Sequence, residues 1–332
     1  MAARLHRRAL LLQGAAALAA PAVLPGTRAS AQSAPLIRMM ASPFGSQSFI
    51  PFVMETYDLP REFGFTLERI PFADGSAARV ALTSGAADVA VQDWMDVARM
   101  RQAAIDIRAV APFTTYVSVY AVPTESPVQS IPDLRGSRFG TYSRTGVDWM
   151  MFKALSQREH GFDIDTDMAV TEGAPTLLRG LMEQGSLDAG LLYSSITPPM
   201  EASGRFRSLF TAGDVATELG LPRAPFLTVN VRGAFADANP DLIGRFVAAY
   251  QRVIDILMSE DDPWVRQGAT MTMEGRALQI YRDQMRGDML RSFDSDTQEI
   301  MERAFAILLE TAGPETLGMD AMPDGIITSA FQ

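Results

Sequence analysis

Ala81-Leu82-Thr83-Ser84-Gly85-Ala86-Ala87-Asp88-Val89-Ala90 decides the fold, because Leu181-Met182-Glu183-Gln184-Gly185-Ser186-Leu187-Asp188-Ala189-Gly190 repeats its grammar later in the chain. Each stretch reads as the end of a helix, a glycine stop and the start of a buried strand. A residue just past a helix often takes the left-handed conformation, which costs glycine little. Asp88 and Asp188 then lead into apolar runs of strand length, 89–91 and 189–192. The exits are polar and aromatic: Gln92-Asp93-Trp94 in the first copy, Tyr193-Ser194-Ser195 in the second. Upstream, a strand and a glycine turn precede each helix, Asp74-Gly75-Ser76 and Glu172-Gly173-Ala174. Two strand–loop–helix–strand units imply two lobes whose exits face a shared ligand.

Composition narrows the class. The 332 residues suffice for one large or two medium domains, and 47% hydrophobic content is that of a globular chain. Residues 1–31 stand apart. Arg4, Arg7 and Arg8 precede an alanine- and leucine-rich run over 10–24, and Ala29-Ser30-Ala31 is a small-x-small cleavage site. This is an export signal, served by the twin-arginine or the general secretory route. Removing its four arginines leaves 25 basic against 39 acidic residues, a formal charge of −14. So acidic a surface disfavours nucleic acid and anionic lipid. No cysteine is present, which excludes disulfides, thiolate metal sites and a lipid-bearing cysteine. No direct membrane insertion is expected once the leader is gone, and a monomer is expected.

Strand and helix patterns alternate from Leu36 onward, the arrangement of α/β layers with mostly parallel sheets. In such sheets ligands bind beyond the carboxyl ends of the strands. The proline- and serine-rich segment 123–132 is the best boundary, giving a first lobe over 35–122, a second over 123–230 and a return to the first lobe with carboxy-terminal helices over 231–332. Asn239-Pro240-Asp241 reads as a helix start, and Ser295 with Gln298 as a capping box for the last helix.

The sequence resembles the nitrate/sulfonate/taurine-type solute-binding proteins of ABC importers, which share a fold with pyrimidine-precursor-binding relatives. Three motifs carry the likeness: the Ala81–Ala90 stretch, Ile131-Pro132-Asp133-Leu134-Arg135-Gly136-Ser137-Arg138-Phe139-Gly140, and Gly185-Ser186-Leu187-Asp188-Ala189. In order and spacing it runs from about Leu36 to at least Val231. The resemblance implies an α/β, periplasmic-binding-protein-like fold of type II, with two lobes joined by two crossover strands. It implies a periplasmic protein that closes on a small ligand, a sulfonate- or taurine-like anion or a pyrimidine-like heterocycle, and delivers it to an ABC permease in the inner membrane. Such proteins often carry tryptophan and proline after the strand that ends here at Leu192, where this chain has Tyr193-Ser194.

Three turns are carried over as ligand contacts: Ser42 to Gln47, with Phe44, Gly45 and Gln47; Asp74, Gly75 and Ser76; and Tyr142, Ser143, Arg144, Thr145 and Gly146. Small residues at helix starts let backbone N–H groups approach a ligand. Phe44, Trp94, Tyr142 and Tyr193 supply flat walls, and Trp149 fits core better. Arg144 suits a carboxylate or sulfonate, whereas Asp93, Asp96 and Asp148 suit an amine or protonated heterocycle. No cofactor, metal or catalytic residue is expected. No phosphate loop, nucleophile elbow, dinucleotide fingerprint or His-Glu-x-x-His helix occurs, and the calcium-loop glycine is missing beside Asp163, Asp165 and Asp167. The alternatives are an exported sensing or scavenging protein of the same fold and an enzyme of pyrimidine or thiamine-precursor metabolism.

Overall fold

The computed structural model describes residues 34–42, 45–71 and 75–331, with backbone alone at 75 and 76. The expected export signal lies outside the described residues, as do Phe44 and Asp74. Ten strands form two five-stranded sheets among the described residues. The strands are β1 (Leu36–Ala41), β2 (Thr66–Pro71), β3 (Val89–Asp93), β4 (Ile107–Thr114), β5 (Val119–Pro123), β6 (Arg138–Thr141), β7 (Ala169–Glu172), β8 (Ala189–Leu192), β9 (Phe206–Thr211) and β10 (Leu227–Arg232).

The first sheet has the order β2-β1-β3-β10-β4 and the second β7-β6-β8-β5-β9. The two orders are the same once the repeated units are aligned. β1 pairs in parallel with β2 and β3, as β6 does with β7 and β8. In each sheet the antiparallel intruder comes from the other side of a crossing: β10 lies between β3 and β4, and β5 between β8 and β9. The fold is therefore α/β with two lobes and two crossovers.

The local chemistry follows the repeat. Gly85 and Gly185 have φ of 75° and 71°, the left-handed turn that releases the helices Gly75–Ser84 and Pro175–Glu183 into β3 and β8. At the amino ends of those strands, Asp88 accepts from the Arg38 backbone and guanidinium, and Asp188 does the same with Arg138. Each pair ties the strand after the glycine to the first strand of its unit. The Asp88 side chain is 2% exposed and also meets Arg232, whereas the Asp188 side chain is 41% exposed.

The lobe boundary differs from the sequence expectation. The chain leaves the first sheet after Thr114 and enters the second at Val119, ahead of the expected 123, because β5 pairs with β8 and β9. It returns through 212–226, and β10 belongs to the first sheet, as the apolar strand pattern over 226–231 implies, so the return starts at about 227 and not at 231. The proline-rich segment 124–130 is a surface turn within the second lobe, not a linker. The expected helix starts also differ in detail. Asn239 precedes the helix Pro240–Ser259 but donates its amide to Phe235 O, and Ser295 and Gln298 form no capping box for Thr297–Leu317. No helix among the described residues is long and apolar enough to cross a membrane.

Candidate functional site

The carboxyl ends of β1, β3, β6 and β8 converge on one cavity of about 620 Å³. The first lobe contributes Gly45, Gln47, Gln92, Asp93, Asp96 and Arg99. The second contributes Ser118, Tyr142, Ser143, Thr145, Gly146 and Tyr193. Val117 and Phe226, from the crossovers, and Leu227, which opens β10, also line it.

On the first-lobe wall, Gln92 is 5% exposed, and among the described residues neither its amide oxygen nor its amide nitrogen has a partner. A buried carboxamide with both ends free is costly unless something fills the site. Asp93 caps the helix Trp94–Gln102 by accepting from the Asp96 N–H at 2.8 Å. Burial pushes the Asp93 carboxyl up to about 7, with the Asp96 charge adding to the rise and the Arg99 charge opposing it. Asp96 itself is met by Arg79 at 3.2 Å and Arg99 at 3.5 Å.

The second-lobe wall is built on aromatic rings. Tyr142 and Tyr193 lie 4.3 Å apart between ring centroids, and Tyr193 is 46% exposed toward the cleft. The Tyr142 hydroxyl donates to Asp148 in the first turn of the helix Val147–His160, and Ser118 Oγ sits 3.0 Å from the same hydroxyl. Asp148 is buried, and among the described residues its second carboxylate oxygen has no partner. Burial raises its carboxyl, opposed by the nearby Ser118 and Tyr142 hydroxyls.

The structure brings Gly45, Gln47, Asp93, Tyr142, Ser143, Thr145, Gly146 and Tyr193 to the cavity wall. Gly75 and Ser76 open the helix Gly75–Ser84. Two expected contacts lie elsewhere. Trp94 is fully buried and donates its indole N–H to the Tyr116 hydroxyl at 3.2 Å. It is the first residue of a helix capped by Asp93, and the chain turns there, so Asp93 takes the cleft side and the indole packs into the core. Arg144 points away to Asp165, at 2.8 Å, which also accepts from Lys153 and the Trp149 indole. That carboxylate pins the turn from behind. Sequence reasoning placed Gln92 in a strand exit facing the ligand but did not name it as a contact, and it gave Ser118 no role. Gln92 was legible as the one amide in an apolar strand. Ser118 lies just ahead of β5, in a β-branched and aromatic run, 115–122, whose pattern is that of one continuous strand.

A family model described as NMT1/THI5 like matches residues 61–262, more than half of the chain. The chain belongs to the NMT1/THI5-like family. No curated protein matches it. Solved structures similar to this family member include a protein described as a putative sulfonate ABC transporter, periplasmic sulfonate-binding protein SsuA, from Methylobacillus flagellatus KT. That one has 18% identity and a TM-score of 0.70, covering 90% of this chain and 93% of that one. The periplasmic aliphatic sulphonate binding protein SsuA from Escherichia coli has 16% identity and a TM-score of 0.70, covering 86% and 92%. The desulfurization enzyme DSZB has 15% identity and a TM-score of 0.59, covering 88% and 97%. At these identities the likeness establishes the fold, which binding proteins and an enzyme share.

Proposed function

We propose that this NMT1/THI5-like chain is a periplasmic solute-binding protein of an ABC importer, which traps a small organic molecule between its lobes and delivers it to the permease. The observation that carries the reading is a cavity walled by strand ends of both sheets, with the buried, unpartnered Gln92 amide on one side and the Tyr142–Tyr193 ring pair on the other. A ligand touching both walls favours the closed arrangement by its differential affinity, and the segments 115–118 and 212–226 are where the lobes would hinge. The described cavity lining holds serine, tyrosine and aspartate but no histidine, lysine or cysteine, so no hydroxyl there has a histidine or lysine base beside it. That supports capture over turnover.

The likeness to sulfonate-binding proteins brings a sulfonate forward as ligand, but a flat heterocycle suits this cleft better. Arg144, the cation suited to a sulfonate, is taken by Asp165. Mass spectrometry of protein purified from the periplasm of its own host tests the proposal. One stoichiometric small molecule, released intact on unfolding, is expected. A ligand-free protein that binds nothing from a periplasmic extract, or one that converts what it binds, contradicts it.

A further inference from the structure

Resting on that reading, we infer that the ligand is a small organic cation, held through a flat N–H-bearing edge of the amidinium kind. Three features on two walls converge on this. The Gln92 carboxamide offers one acceptor and one donor side by side, both unpartnered and enclosed. Asp93 spends one oxygen on the Asp96 N–H and, among the described residues, has no protein donor for the other. Ser118 faces the cavity with its hydrogen committed. Because Tyr142 donates to Asp148, the Ser118 hydroxyl donates to Tyr142 and turns lone pairs toward the ligand. Such a wall accepts hydrogen bonds more than it gives them.

The charge balance agrees. Among the described residues neither Asp93 nor Asp148 forms an ion pair with arginine or lysine, while Arg79 and Arg99 share Asp96, so three acids stand against two arginines around the cleft. An anion brought into this cleft would meet the Asp93 carboxyl, with buried Asp148 behind the Tyr142 hydroxyl, in a set that already holds more acids than cations. A cation would receive charge-assisted hydrogen bonds and complete a site that otherwise holds uncompensated acids. Were both carboxyls simply protonated in the bound state, a neutral amide would bind as well as a cation.

Benzamidine, benzamide and benzenesulfonate share one ring and differ in the head group, so their titration into the full chain by calorimetry separates the cases. Benzamidine is expected to bind at least about tenfold more tightly than either of the others. Asp93→Asn should erase most of that preference, and an asparagine caps the helix as an aspartate does, so a melting curve should show the variant folded. Tighter binding of benzenesulfonate, equal binding of benzamide, or a preference that survives in Asp93→Asn overturns the inference. If none of the three binds while the molecule that co-purifies from the host does, the cation class falls and the binding reading stands. If neither binds, both fall.

Discussion

Asp93 and Trp94 are neighbours in the chain that serve opposite sides of the same helix start. Asp93 lines the cavity, while the Trp94 indole is fully buried and bonded to Tyr116. The pair marks where the binding wall ends and the core begins. Trp94→Ala should therefore cost roughly 3–5 kcal/mol of folding stability, as expected for a large buried aromatic. Denaturant unfolding of the ligand-free protein measures it. A loss below about 1 kcal/mol would mean that the indole is not core.

Asp93 also predicts how stability varies with pH. Its carboxyl is near 3.8 when unfolded and about 7 when folded, so between those values the folded state holds a proton that the unfolded state has released. Ligand-free stability should fall as pH rises from about 4 to about 7. Asp288, pushed up to about 6 by burial, adds in the same direction. Melting curves at steps across this range should show the decline, and Asp93→Asn should flatten it in part. A slope unchanged by the substitution would show that Asp93 does not carry it.

The twin arginine–aspartate pairs should not be equal in strength. Asp88 is enclosed, and although burial pushes its carboxyl up, hydrogen bonds from Arg38 and Arg232 hold it below the usual carboxylate value, whereas Asp188 is open to solvent. Arg38→Gln leaves a buried carboxylate short of a partner and should cost about 1–3 kcal/mol. Arg138→Gln at the equivalent exposed pair should cost much less. Chemical unfolding of both variants decides it, and equal losses would contradict the burial argument.

Much of this was readable from sequence, and the failures have physical causes. The repeated Gly85 and Gly185 turns, the strands after them and the two-lobed α/β plan come from local conformational preference and hydrophobic pattern, which act over a few residues. The boundary was misplaced because Pro123–Pro132 looks like a linker, whereas the partner of Val119–Pro123 is fixed by pairing with strands far away in sequence. Trp94 was misread because an aromatic after a buried strand can turn to either side, and the Asp93 cap decides which. Arg144 was misread because its partner, Asp165, comes from a distant loop. No local pattern reports either choice.

The central claim is that one ligand is held by both lobes at once. The most direct measurement is calorimetric affinity for the molecule that co-purifies, compared among wild type, Gln92→Ala in the first lobe and Tyr193→Ala in the second. Each substitution should weaken binding by roughly 1–3 kcal/mol, with a smaller change in the ligand-free melting temperature for the half-exposed Tyr193. Unchanged affinity in either variant would place the ligand on one lobe alone, or outside this cleft, and would contradict the account.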